Sequence, residues 1–160
     1  MDVTVEQAIA RPREEVARYA MAPENEPEWI GGIKESRMVT EPPVRVGTEV
    51  ARVASFLGKR IDYALKVTQY EPGRIIVMDS VRGPFKMRVT YAFEDAGGDG
   101  ARGESGTRVI NRVEGESSGF YGLADSLMAI QVRRSLRRDL ATLKRLMEDG
   151  AVARDAAAVA

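Results

Sequence analysis

"FKMRVTYAFED", residues 85–95, sets Phe85, Met87, Val89, Tyr91 and Phe93 against Lys86, Arg88, Thr90 and Glu94. Side chains of a strand alternate between the two faces of a sheet, so this stretch predicts a strand with one face buried and one in water. Antiparallel sheets tolerate such one-sided exposure. Working outward, the same period recurs in "GIKESRMVT" (32–40), "GTEVARVASFLG" (47–58), "RIDYALKVTQY" (60–70), "GRIIVMDSV" (73–81) and "GTRVINRVEGE" (106–116). The turn signals "EPPVRVG", "GK", "EPG", "RGP" and "AGGDGARGESG" separate them, giving a meander of six strands.

"DVTVEQAIA" (2–10) adds a first strand by the alternation of Val3, Val5, Gln7 and Ile9. "RPREEVARYAMA" (11–22) then reads as a short helix: Pro12 suits a first helical position, Glu14 and Glu15 favour the positive end of the dipole, and Val16 and Ala20 are spaced i, i+4. Trp29 falls between two prolines and the pair Gly31 and Gly32, where neither helix nor strand is expected. Residues 119–150 place Leu123, Leu127, Ile130, Leu136, Leu140, Leu143 and Met147 near helical spacing, without an internal proline and with Gly150 as a stop. A sheet with one apolar face and a helix with one apolar stripe bury each other, so the fold class is α+β. Residues 1–149 are expected to form one domain. Residues 150–160, "GAVARDAAAVA", are expected to be a flexible Ala-rich tail.

The chain has no Cys, hence no disulfide, thiolate nucleophile or sulfur ligand, and no His, the usual general base and transition-metal ligand. Twenty-four basic residues balance twenty-four acidic ones, which argues against a nucleic-acid partner. No apolar run has the roughly 20 residues that span a bilayer, and no secretion signal is evident, so a cytoplasmic protein without stable membrane insertion is expected. Glu14, Glu15, Glu24, Glu26 and Glu28 cluster without the spacing of a ligand set, so no metal and no cofactor are assigned.

The order strand, short helices, six-stranded meander, long C-terminal helix is the helix-grip arrangement. The stretches "IARPREEVARYAMAPENEPEW", "VGTEVARV", "GKRIDYALKVTQYEPGRIIV", "GPFKMRVTYAFED", "GTRVINRVEGE" and "RRDLATLKRLME" together cover residues 3–148. In that order the chain resembles the polyketide cyclase/dehydrase branch of the START-like superfamily, relatives of lipid-transfer START domains and the birch pollen allergen. The resemblance implies a curved antiparallel sheet of about seven strands and two short helices, wrapped on the long helix. It also puts Trp29 near a cavity mouth, either as a wall or as a plug closing the core. Aromatase/cyclases of this kind use an interior Arg with Ser and Tyr neighbours. Aligned on "RIDYALKVTQY", the matching positions hold Leu65 and Val67, and the Tyr after the Trp falls near Ser36, so that polar apparatus is expected to be missing and no catalytic residue is assigned.

With the phase set by Val67 and Phe93, the inward positions are Tyr63, Leu65, Val67, Met87, Val89, Tyr91, Phe93, Val109, Asn111 and Val113. Bulky apolar walls with few polar groups suit a small-molecule cavity and equally a solid core. Trp29, Phe85 and Leu127 join the candidate lining. Asn111 needs a partner, because an unpaired buried amide costs about 1–3 kcal/mol; Gln131, a tyrosine hydroxyl, water or a ligand would serve. The leading reading is a carrier for a hydrophobic or aromatic small molecule, which requires a void of roughly a few hundred Å3. A cyclase or dehydratase using Asn111, Tyr63 or Tyr91 is the alternative. A third reading has Arg133, Arg134, Arg137, Arg138, Lys144 and Arg145 on the last helix dock to a membrane or protein, against the simpler account of a solvated face. "GESSG" (115–119) and "GDGARG" (98–103) match a serine-hydrolase elbow and a dinucleotide loop, but the first lacks a His and the second joins two strands.

Overall fold

The computed structural model describes residues 1–97, 106–116 and 122–159, the side chains of 122–125 and 151–159 excepted. Ser117 and the 98–103 glycine motif lie outside these residues. The order is β1 (Asp2–Ile9), α1 (Arg13–Ala20), a 3-10 turn (Pro23–Asn25), α2 (Glu26–Trp29), β2 (Ile33–Met38), β3 (Glu49–Phe56), β4 (Lys59–Glu71), β5 (Ile75–Arg82), β6 (Met87–Ala96), β7 (Gly106–Gly115) and α3 (Gly122–Val159). All seven strands form one antiparallel sheet in the order β1-β7-β6-β5-β4-β3-β2. This is the helix-grip α+β fold that the alternation and the long helix predict.

Local sequence explains the pieces. Pro12 precedes α1, Glu14 and Glu15 occupy its first turn and Arg18 its last, in line with the helix dipole. Val16, Ala17 and Ala20 are its buried face. Trp29, expected in neither helix nor strand, is the last residue of α2, a single turn begun by Glu26 and Pro27. The outer face of the sheet is stitched by ion pairs of Arg88 with Asp79, Arg108 with Glu6 and Glu94, and Arg112 with Asp2 and Glu114. Exposed pairs of this kind contribute about 0–1 kcal/mol each.

The inner face packs Val3, Val5, Ile9, Leu65, Val67, Val89, Phe93 and Val109 against Leu140, Leu143 and Met147 of α3. Of the expected α3 stripe Leu140, Leu143 and Met147 are buried, and the side chain of Leu123 lies outside the described residues. Leu127 is 70% exposed and Ile130 63%. The reason is geometric: at 100° per residue, Leu127 lies about 180° from Leu136, so one straight helix cannot turn both to the sheet. Ala129, Val132 and Leu136 fill the inward positions instead, and only partly. α3 also continues through Gly150 to Val159 rather than stopping at the glycine.

Candidate functional site

Antiparallel register lines up three inward side chains, Ser36 on β2, Arg52 on β3 and Tyr63 on β4, as direct cross-strand partners. α2 lies over this row and lowers Glu26 onto it. Arg52 Nε donates to Glu26 Oε2 at 2.8 Å, Arg52 Nη2 to Oε1 at 2.5 Å, and Ser36 Oγ to Oε2 at 2.5 Å. Glu26 is 4% and Arg52 3% exposed. A bidentate pair with a third donor satisfies most of the carboxylate's lone pairs, which is what makes such a buried pair tolerable. Burial works against the charge of Arg52, but Glu26, with smaller help from Tyr63 and Tyr91, holds the guanidinium above its ordinary pKa.

Next to the pair, Tyr91 meets Trp29 edge to face, ring centroids 5.6 Å apart. Asn111 is the cross-strand partner of Tyr91. Burial pushes the Tyr91 hydroxyl well up; Arg52 opposes this, while Glu26, Tyr63 and Asp139 add to it. The hydroxyl thus stays a donor at any physiological pH. Two buried atoms in this neighbourhood have no hydrogen-bond partner: Trp29 Nε1, which can only donate, and Asn111 Oδ1, which can only accept. Asp139 of α3, 7% exposed, accepts the Gly31 N–H at 3.0 Å and so ties the residues after Trp29 to the long helix. Burial raises its pKa, opposed by that N–H and by Arg138.

Beside Glu26 and Tyr91 lies a void of about 10 Å3, walled by Val50, Val67, Ile76 and Met78. It has room for one water, not for the few hundred Å3 of a ready-made carrier cavity. A groove of about 420 Å3 opens where β5, β6 and β7 meet at their ends, lined by Met87 together with the charged Asp79, Lys86, Arg88, Glu114 and Glu116.

Of the residues singled out from sequence, Trp29, Leu65, Val67, Val89, Tyr91, Phe93 and Asn111 are buried in the core, and Tyr63 and Met87 are half-buried at one end of it. Three are not brought in. Phe85 is 51% exposed in the β5–β6 turn, and Leu127 and Gln131 sit on the outward face of α3. Gln131 therefore cannot partner Asn111. A buried arginine, Arg52, does stand on β3, one strand before "RIDYALKVTQY". The alternation Val50, Arg52 would have pointed Arg52 inward. Nothing in the acidic run 24–28 distinguishes Glu26 as its partner.

A family model described as polyketide cyclase / dehydrase and lipid transport matches residues 1–148. Among solved structures, TTHA0849 from Thermus thermophilus is 21% identical at a TM-score of 0.73, over 91% of this chain and 95% of that one. The di-domain ARO/CYC BexL from the BE-7585A biosynthetic pathway is 18% identical at 0.69, over 92% of this chain and 46% of that one. A START superfamily protein from Mycobacterium smegmatis is 16% identical at 0.66, over 87% and 93%. At such identities these structures share the fold alone. No curated protein matches the chain.

Proposed function

The chain belongs to the polyketide cyclase/dehydrase and lipid transport family, and from that premise we propose that it binds a hydrophobic or aromatic small molecule, such as a lipid, a quinone or a polyketide-like compound, between the sheet and α3. The observation that carries this is the pair of orphaned buried atoms, Trp29 Nε1 and Asn111 Oδ1, on either side of Tyr91. Each costs about 1–3 kcal/mol unpaired, and a ligand hydroxyl on an apolar frame, which both accepts and donates, would satisfy both, whereas a carbonyl would satisfy Trp29 Nε1 alone. Room comes from the half-packed end of the core. There Tyr63, Met87 and Val113 of the sheet and Ala129, Val132 and Leu136 of α3 are all only partly buried against the core, so parting the first half of α3 from the sheet would break few tight contacts.

Native mass spectrometry of the purified protein, with extraction of whatever is bound, tests the reading. A stoichiometric hydrophobic adduct that is lost on Asn111→Leu supports it. A clean mass, together with no saturable uptake of a hydrophobic fluorophore, overturns it.

Arg52 favours one second reading, a cyclase or dehydratase. A guanidinium fixed in a low-dielectric interior, with the protonated Tyr91 hydroxyl beside it, can stabilise a developing enolate oxygen. Ring closure of an aromatic polyketide intermediate, abolished by Tyr91→Phe with the adduct retained, would select it over simple carriage.

A further inference from the structure

Strand pairing brings the starts of β1, β4 and β6 and the ends of β3, β5 and β7 to one end of the sheet. α3 begins at that end, because its later turns lie at the other: near the end of β1, Lys144 donates to Ala8 O and Glu148 accepts from Ala10 N. Leu57, Val81, Phe85, Leu127, Met128 and Ile130 are exposed, and all belong to that end; the other large apolar side chains exposed among the described residues, Val39 and Val46, belong to the opposite one. Scattered apolar residues are ordinary on a surface, but a set gathered at one end is not.

Charge accompanies the set. Steps of 100° put Leu127, Ile130, Arg134 and Arg137 within about 80° of one another on the outward face of α3. Among the described residues Lys59, Arg82, Arg133, Arg134 and Arg137 at this end have no ion-pair partner, as Arg37, Arg45, Lys66 and Arg74 at the other end have none, but only here do such cations stand beside exposed apolar side chains on one helix face; Arg60 and Lys86 pair with Asp62 and Glu116. We infer that this end of the molecule docks on an anionic phospholipid surface, with the apolar tips in the acyl boundary and the arginines against headgroup phosphates. A second copy fits less well, since a two-fold contact would set the same arginines against each other. No described helix is long and apolar enough to cross a membrane, so the association is peripheral. The half-packed end of the core faces the same way, and in that respect the inference rests on the ligand-binding reading: a hydrophobic ligand would pass between bilayer and protein without crossing water.

Co-sedimentation with phosphatidylcholine vesicles, with and without phosphatidylglycerol, tests it. Association is expected only with the anionic vesicles and should fall with added salt. Arg134→Gln with Arg137→Gln should weaken it about fivefold per arginine, Leu127→Ser with Ile130→Ser roughly tenfold, and Val39→Ser with Val46→Ser not at all. All six positions are exposed, and circular dichroism confirms that each variant is folded. No association with anionic vesicles, equal association with neutral ones, or full association of the arginine variant overturns the inference. So does a dimer in sedimentation velocity that Leu127→Ser with Ile130→Ser dissolves while vesicle binding is absent. An adduct that persists in the native mass spectrum without vesicle binding removes the docking inference alone; vesicle binding without adduct or fluorophore uptake removes the ligand reading alone.

Discussion

The two halves of α3 meet the same sheet and are treated differently by it. From Leu140 to Met147 the helix is clamped: Leu140, Leu143 and Met147 are at most 4% exposed against β1 and the core. From Leu127 to Leu136 the inward residues are half-covered, and the outward face mixes the apolar Leu127 and Ile130 with Gln131 and Arg134. Buried charged pairs follow the same division. The tightly packed end buries Thr48 and Thr107, while the looser end carries the ion pair of Glu26 and Arg52 with Ser36 and Tyr63 beside it, and is joined to α3 by Asp139. One end is tightly packed and the other is not, so on the proposed function stability and ligand binding should be separable by mutation.

The largest effect should come from the one rigid point of the looser end. Arg52→Ala strands Glu26 as a buried charge and should cost about 3–5 kcal/mol in urea unfolding, whereas Arg52→Met with Glu26→Leu should recover most of it; equal loss in both would mean that the pair does more than neutralise itself. Leu143→Ala, at the clamped end, should cost about 2–5 kcal/mol. Leu127→Ala should stay within about 0.5 kcal/mol, and equal losses at the two leucines would erase the contrast. Gly83 backs Tyr63 so closely that an added Cβ would lie 2.6 Å from the Tyr63 Cβ, at φ +126°. Gly83→Ala should therefore cost about 1–3 kcal/mol and shift the near-ultraviolet signal of tyrosine.

The smallest effect is a pH dependence. Asp139 has a folded-state pKa raised above 3.8, so its stabilising contribution is complete below that pH and is lost as pH rises through the folded value. Asp139→Asn, which keeps an acceptor for the Gly31 N–H, should be slightly more stable than wild type at neutral pH. Its urea midpoint should also vary less with pH across that window. The reverse order would show that the ionised carboxylate is the form that holds α2 to α3.

The sheet was legible because its strands carry their own phase: Met87 to Phe93 alternate without a break, and the buried inward residues follow them. The helix was harder to read. Leu123, Leu127 and Ile130 look like the start of the stripe that ends at Met147, but a spacing near three or four accumulates error over seven turns. Only the angle from Leu127 to Leu136 shows two faces rather than one. In the candidate site, Asn111 was found because it is polar at an inward position, and Arg52 was lost because an arginine in a strand is ordinarily outward. Glu26 could not be found at all: its partner is 26 residues away, and only the fold brings them together.

The pairing of β1 with β7 sets Asp2 opposite Glu114 and Ile9 opposite Thr107. Among the described strands β1 thus has β7, which leaves the ribosome long after it, as its neighbour in the sheet. At 5–20 residues per second of synthesis, Val3, Val5 and Ile9 wait roughly 5–20 s for the residues that cover them. During that interval a β-forming edge is open to other chains. Chaperone dependence and solubility during expression should therefore respond to substitutions in β1 more than equilibrium stability does.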